Sequence, residues 1–110
     1  MNFSYLASPY THPDPQVRVK RFEDACRAAA ALMTEGKIIF SPIAHSNSIE
    51  TIGLGAVKTG AFWKQQDTPF LLCADELIVL MLDGWESSAG IAWEMQTARE
   101  LGIPISWVKL

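Results

Sequence analysis

A continuous apolar run, LIVLML at residues 77–82, constrains the fold of this chain more than any other feature. It has the length of a strand, and a strand that is apolar at every position suits one that is covered on both faces. Sheets built from such strands are mainly parallel, because the helices that join parallel strands cover both faces. The run therefore predicts further strands and helices on either side of it in the sequence.

Strand-like and helical segments alternate through the rest of the chain. The predicted elements are strand 3–7, helix 15–35 with Asp14 as N-cap, strand 37–40, a short helix or ordered loop at 43–61, helix 62–76 with a restart at Thr68–Pro69, strand 77–82, a helix carrying Glu94, and strand 103–110. This order predicts an α/β fold, a three-layer sandwich with a mainly parallel sheet. A length of 110 residues predicts a single domain, residues 1–110.

The charge balance argues against nucleic acid as a main partner. The net charge is -3, whereas a surface that follows a phosphate backbone needs a basic excess. A small nucleotide needs only a few local donors and stays compatible with this charge. The cluster Arg18, Lys20 and Arg21 is interpreted as a solvated helix face.

The cysteines and the apolar runs predict the cellular compartment of the protein and whether it binds a metal or a membrane. Cys26 and Cys73 are far apart and lie in apolar segments, which predicts two buried, reduced thiols in a cytoplasmic protein. No CxxC occurs, and neither His12 nor His45 has metal-ligand spacing to a cysteine, so we expect no metal and no cofactor. The N-terminus lacks a signal-peptide pattern, and no apolar run is long enough to cross a bilayer, so no membrane partner is expected. A thin core suggests a homo-oligomer, a dimer or a tetramer.

Ligands of parallel α/β sheets bind at the carboxyl ends of the strands, near the point where strand order reverses. Four short segments follow predicted strands or begin the last helix, and they are expected to share this rim: Ala7–Tyr10, Ser41–Ile43, Asp83–Trp85 and Ser87–Gly90. The turn from Gly84 to Gly90 offers backbone N–H groups and a helix dipole, which suit an anion. The alternative is a plain N-cap by Ser87 or Ser88.

Glu94 occupies an unusual position on the last helix. On a helical wheel it falls among Ile91, Met95, Ala98 and Leu101, which mark the buried face. One interpretation is a carboxylate that pairs with Lys or Arg or reaches out to solvent. The other is a partly desolvated carboxylate that acts as nucleophile or acid–base group.

The remaining candidates each carry two interpretations. Asp67 is a surface acid or helix cap, or the second carboxyl of a glycosyl-transfer pair. Asp83 forms a turn or meets a ribose hydroxyl. The aromatic candidates, Tyr5, Tyr10 and Trp85, either stack on a base or belong to the core or a lid. His45 is either a polar contact for the ligand or a structural residue.

The glycine-bearing stretch GLGAVKTG at 53–60 does not fit a phosphate loop. The Walker pattern needs Gly directly before Lys-Thr and a strand before the loop. Here Val57 precedes Lys58, and no strand is evident. A dinucleotide-binding pattern fails as well, because Lys58 occupies the place of its third glycine.

Several motifs together resemble a known family. The stretches YLASPY, FSPIAHS, WKQQD and LIVLMLDGWESSAGIAWEMQTARELGIPI resemble proteins of the DUF1937 type, which are similar to the nucleoside 2-deoxyribosyltransferase superfamily. The resemblance covers nearly the whole chain and implies a flavodoxin-like fold. One departure is that residues 85–89 intervene after Asp83–Gly84, where the enzymes have a shorter turn before the glutamate.

The resemblance also implies roles for individual residues. Glu94 takes the place of the glutamate that attacks the anomeric carbon, Asp67 that of the acid assisting the departing base, and Tyr5 that of the aromatic positioning the nucleophile. Ser88 and Gly90 match a turn that receives a 5′-phosphate in nucleotide-hydrolysing relatives. The predicted substrate-contacting residues are Ser8, Pro9, Tyr10, His45, Asp83, Gly84, Trp85, Ser87, Ser88 and Gly90.

The sequence leaves three functional hypotheses. The first is an enzyme that transfers or hydrolyses an N-glycosidic bond of a nucleoside or nucleotide through a glutamate nucleophile. The second is a non-catalytic module that binds a nucleotide or a related small ligand. The third is a small interaction protein whose Glu94 is buried in an ion pair.

Overall fold

The computed structural model describes residues 2–55 and 59–110, and over these residues it contains one four-stranded parallel sheet in the order β2-β1-β3-β4. The strands are β1 (Ser4–Ala7), β2 (Ile39–Phe40), β3 (Glu76–Leu80) and β4 (Ile105–Val108). The helices are α1 (Pro15–Thr34), α2 (Pro42–Ser48) with a π-helical segment (Ile49–Leu54) after it, α3 (Gly60–Cys73) and α4 (Ala89–Leu101), the last preceded by a 3₁₀ turn (Trp85–Ser87). Val57 and Lys58, which decide against a phosphate loop, lie outside the described residues.

The strand order explains which helix covers which face. From β1 the chain moves to one side to reach β2, and it then moves the other way to β3 and β4. Because crossovers between parallel strands are right-handed, opposite directions of travel put the helices on opposite faces. Accordingly α1 packs on one face, and α3 and α4 pack on the other. The three-layer α/β fold with a flavodoxin-like strand order is thus confirmed.

Alternate residues of the two central strands face two separate cores. One core lies under α3 and α4, and its buried members are Tyr5, Ala7, Leu71, Ala74, Leu77, Val79, Ile91 and Ala98. The other lies under α1 and contains Leu6, Ala28, Ala29, Leu32, Ile78 and Leu80. Burial on both faces is the reason that residues 77–80 are apolar at every position, whereas Met81 and Leu82 follow β3 and are half-buried.

Helix ends follow the local signals, with one exception inside α3. The Asp14 carboxylate accepts the Gln16 N–H at 2.9 Å and begins α1. The predicted restart at Thr68–Pro69 was wrong, because α3 runs through Pro69 without a break. Leu71 is completely buried in the core, and this packing holds the last turn of α3 in line despite the lost donor.

Several predicted environments differ from those in the structure. Leu101, assigned to the buried face of the last helix, is exposed, and it is the last residue of α4. Cys73 is exposed at the last position of α3, whereas Cys26 is half-buried, so the prediction of two buried thiols was wrong. No helix in the described ranges is both long and apolar enough to cross a membrane.

Candidate functional site

A cleft of about 590 Å³ opens at the carboxyl ends of the strands, beside the point where strand order reverses between β1 and β3. One wall is the loop after β1 and the start of α1. The opposite walls are α2 with its π-helical segment, α3, and the N-terminal half of α4. Residues predicted from the sequence that line it are Ser8, Tyr10, Asp67, Gly84, Ser87, Ser88, Gly90 and Glu94.

Glu94 forms part of the cleft wall and is only 6% exposed. No Lys, Arg or His of the described residues forms an ion pair with it. Burial raises the pKa of Glu94 to about 8, with a smaller rise from Asp67 and an opposing effect of the Tyr5 hydroxyl. The described residues therefore disfavour the hypothesis of a glutamate buried in an ion pair, because the carboxyl faces an open cleft instead.

Asp67 reaches the same cleft from α3. It is half-buried, and this burial raises its pKa to about 6. Gly60, Trp63, Lys64 and Asp67 recur at helical spacing and form the face of α3 that lines the cleft. Asp67 and Glu94 act on each other electrostatically across the cleft. The site thus holds two carboxyl groups that lose their protons at different pH values.

Tyr5 lies beneath these carboxyls in the centre of the sheet and is completely buried. Its hydroxyl has no partner of good hydrogen-bond geometry among the described residues, yet it lies near enough to Glu94 to favour the ionised carboxylate. Burial and then the Glu94 carboxyl raise the pKa of Tyr5 far above its ordinary value, so the phenol stays protonated. Tyr5 is therefore a fixed donor that packs against Phe40, with ring centroids 5.8 Å apart.

The turn before α4 brings small residues to the cleft. Gly84 has φ +87°, and the Ser87 hydroxyl donates to its carbonyl at 3.2 Å. The Ser88 hydroxyl accepts the Ile91 N–H at 3.2 Å, so Ser88 is the N-cap of α4. Ser8, buried beside this turn, has a hydroxyl without a partner in the part of the chain that is described.

Arg21 is a cleft residue that the sequence did not reveal. Its guanidinium donates to the Thr11 carbonyl and to the Asp83 carbonyl, both at 2.9 Å. It thereby ties the loop after β1 to the loop after β3. A Cβ on Gly84 would lie 2.6 Å from its Nη2. Arg18 likewise binds the His12 carbonyl, so the interpretation as a solvated face was wrong for Arg18 and Arg21, whereas the Lys20 side chain is 75% exposed.

Three polar residues outside the predicted set, Asn47, Glu50 and Trp63, also line the cleft. The Trp63 N–H donates to the buried Glu50 carboxylate at 2.8 Å. The Tyr10 hydroxyl donates to the Asn47 amide oxygen at 3.1 Å. Neither contact left a local signal in the sequence, because the partners are 13 and 37 positions apart.

The remaining predicted contact residues do not line this cleft. Pro9 is buried within the structure, and Trp85 packs against the core under α4. His45 is exposed and packs on the rings of Phe40 and Phe70. Asp83 is exposed and contributes its carbonyl to Arg21. Within the described ranges no group of three or more His, Cys, Asp or Glu side chains is arranged to hold a metal ion.

Comparison with known proteins gives a family and a fold. A family model described as a domain of unknown function, DUF1937, matches residues 2–109. No curated protein matches the chain. A solved structure of a 2-deoxyribosyltransferase from the psychrotolerant bacterium Bacillus psychrosaccharolyticus is similar, with 24% identity over 96% of this chain and 71% of that chain, and a TM-score of 0.67. At this identity the likeness concerns the fold.

Proposed function

The chain belongs to the DUF1937 family, and we propose that it transfers or hydrolyses the N-glycosidic bond of a nucleoside or nucleotide with Glu94 as nucleophile. The observation that carries the proposal is a buried carboxyl, without a cationic partner among the described residues, that faces a cleft beside a second carboxyl. The similar solved structure is a 2-deoxyribosyltransferase, which supports a nucleoside as the substrate class.

The chemistry follows from the two carboxyl groups. A Glu94 oxygen attacks the anomeric carbon, and the bond from that carbon to the base nitrogen breaks. The electron pair of the broken bond goes to the base, which takes the proton of Asp67. Water or a second base then attacks the same carbon and displaces Glu94 from the ester. The attacking molecule gives its proton to Asp67, which restores the acid. Water gives hydrolysis, and a second base gives transfer.

The other predicted residues support this reaction from the cleft walls. Tyr5 positions Glu94 by donating toward its carboxylate. The turn from Gly84 to Gly90 and the buried Ser8 hydroxyl provide donors for the sugar or a 5′-substituent. Pro9, His45, Asp83 and Trp85 lie outside the cleft walls, and of these we assign a supporting role to Asp83, whose carbonyl accepts from the cleft residue Arg21. The two free thiols favour a reducing compartment such as the cytoplasm, and we propose that residues 1–110 act as one domain within a homo-oligomer.

One observation favours a second candidate function, a non-catalytic module that binds a nucleotide or related ligand. With a pKa of about 8, Glu94 is mostly protonated at neutral pH in the unliganded protein. A protonated carboxyl is a hydrogen-bond partner for a sugar hydroxyl and is no nucleophile. The two functions therefore differ in whether a bound ligand leads to base release.

Base release distinguishes the two. Purified protein is incubated with nucleosides, 2′-deoxynucleosides and their 5′-monophosphates, and the products are separated by chromatography. We expect release by the wild type, and a loss of at least about a thousandfold in Glu94→Gln, which keeps the shape of the side chain. Glu100→Gln on the exposed side of α4 is the matched control and should retain activity. Equal release by Glu94→Gln would overturn the catalytic role, and tight binding without release would support the binding module.

A further inference from the structure

We propose that Asn47, held by Tyr10, makes this cleft selective for a base with a ring carbonyl oxygen, such as a 6-oxopurine, over the base with an exocyclic amino group at that position. The location of the base rests on the proposed function. The direction of the selectivity rests on hydrogen bonds in the cleft wall.

The position of Asp67 locates the base. If Asp67 protonates the departing base, the base lies against the cleft face of α3. One helical turn before Asp67, this face presents Trp63. The Trp63 indole is fixed to Glu50, which belongs to the segment that follows α2. The base is therefore placed at the end of the cleft that Trp63, Glu50 and Asn47 line.

The Tyr10 hydroxyl sets the orientation of the Asn47 amide. It donates to Oδ1 at 3.1 Å, and both side chains line the cleft. An amide whose oxygen is engaged presents its NH₂ group, which has two donors and no acceptor. This NH₂ group has no protein partner among the described residues. Asn47 is thus a donor for a ligand at this end of the cleft.

One other cleft side chain, Lys64, is a donor as well. The Trp63 N–H and the Glu50 oxygen that accepts it are already paired. The Lys64 ammonium, a donor only, lies 5.6 Å from the centre of the Trp93 ring, and both residues line the cleft. A carbonyl oxygen of the base accepts from such donors, whereas an amino group would place hydrogen against hydrogen.

The test compares hypoxanthine with adenine, two free bases that carry an oxygen or an amino group at the same ring position and, beside it, an N–H or an unprotonated ring nitrogen. Calorimetric titration measures both affinities, and turnover of 2′-deoxyinosine and 2′-deoxyadenosine is measured in parallel. We expect hypoxanthine to bind the wild type about tenfold more tightly, the effect of one hydrogen bond. Equal affinities, tighter binding of adenine, or no binding of either base would overturn the inference.

Two variants probe the role of the amide. Asn47→Asp keeps an oxygen for Tyr10 and replaces the NH₂ group with a second acceptor, so the preference should reverse. Tyr10→Phe releases the amide to rotate, so the preference should fall to near equality while both bases still bind. Ser48→Asp adds the same charge at an exposed neighbouring position and should keep the wild-type preference. An unchanged preference in Tyr10→Phe would contradict the locked amide.

The outcome is separable from that of the proposed function. A preference for hypoxanthine without cleavage of any nucleoside would leave the selectivity standing and remove the catalytic role. Cleavage of 2′-deoxyinosine and 2′-deoxyadenosine with equal kcat/KM would leave catalysis standing and remove the selectivity.

Discussion

At the level of single residues, the two cleft carboxyls hold their protons in the order opposite to the one that the proposed reaction requires. Glu94 has a pKa of about 8 and Asp67 of about 6, in both cases chiefly because of burial. The reaction needs Glu94 ionised and Asp67 protonated. Between these two values the pair holds one proton, so the reactive arrangement differs from the resting one only in the position of that proton.

This single-proton state predicts a bell-shaped dependence of kcat/KM on pH. Below about pH 6 both carboxyls are protonated and the nucleophile is lost; above about pH 8 both are ionised and the acid is lost. We expect a maximum between these values in initial rates of base release. In Asp67→Asn the alkaline limb should disappear, because no acid remains to be deprotonated. A wild-type rate that keeps rising above pH 8 would contradict the role of Asp67 as the acid.

The same burial predicts how stability changes with pH. The folded pKa of Glu94 is about 8 against an ordinary 4.5, so the folded state binds more protons than the unfolded state between these values. The free energy of unfolding should therefore fall by a few kcal/mol as pH rises through this window. Asp67, with its pKa also raised, adds to the fall at the lower end.

Urea unfolding at a series of pH values measures this dependence. Glu94→Gln removes the titrating group and should show a much shallower fall, together with higher stability at pH 8. Glu100→Gln, an exposed change on the same helix, should keep the wild-type slope. Parallel slopes for wild type and Glu94→Gln would mean that Glu94 is not desolvated.

At the level of elements, local signals predicted the strands and most helix ends, because these depend on neighbours in sequence. Strand 77–82, for example, was predicted within two residues of β3. α2 and the segment after it gave no helical period, since they cover a cleft more than a core. Glu94 stood out because its own helix defines an apolar face. Arg21 and Asp83 are 62 positions apart, and no local pattern reports such a contact.

A substitution at Gly84, in the turn before α4, tests how closely Arg21 packs on this turn. Gly84→Ala should destabilise the protein by about 1–3 kcal/mol, because its φ is +87° and the added Cβ meets Arg21. Gly102→Ala is the matched control, since its φ is +72° and nothing lies within 4 Å, so it measures backbone strain alone.

A double-mutant cycle separates the collision from the strain. In an Arg21→Ala background, Gly84→Ala should cost only about as much as Gly102→Ala, as followed by chemical unfolding. If Gly84→Ala costs the same with and without Arg21, the guanidinium does not press on this turn.

At the level of the whole molecule, the topology that builds the cleft also leaves apolar surface uncovered. Among the described helices, α1 supplies the buried helical residues of the core on one face of the four-stranded sheet, and this core is small. On the π-helical segment beside the cleft, Ile49 is 43% and Ile52 is 85% exposed. Large apolar side chains that face solvent next to a site are typical of a surface that another subunit covers.

We therefore expect a second copy of the chain to cover this segment in solution. Sedimentation velocity should give a dimer or tetramer for the wild type, and Ile52→Lys should shift it toward monomer, because a buried ammonium without a partner is costly. Val19→Lys, at a 57% exposed position on α1, is the control for added charge and should leave assembly intact. Because Glu50 of the same segment holds Trp63 in the cleft wall, dissociation should also weaken ligand binding. A wild type that stays monomeric at high concentration would contradict the assembly, while leaving the cleft chemistry to be judged by base release.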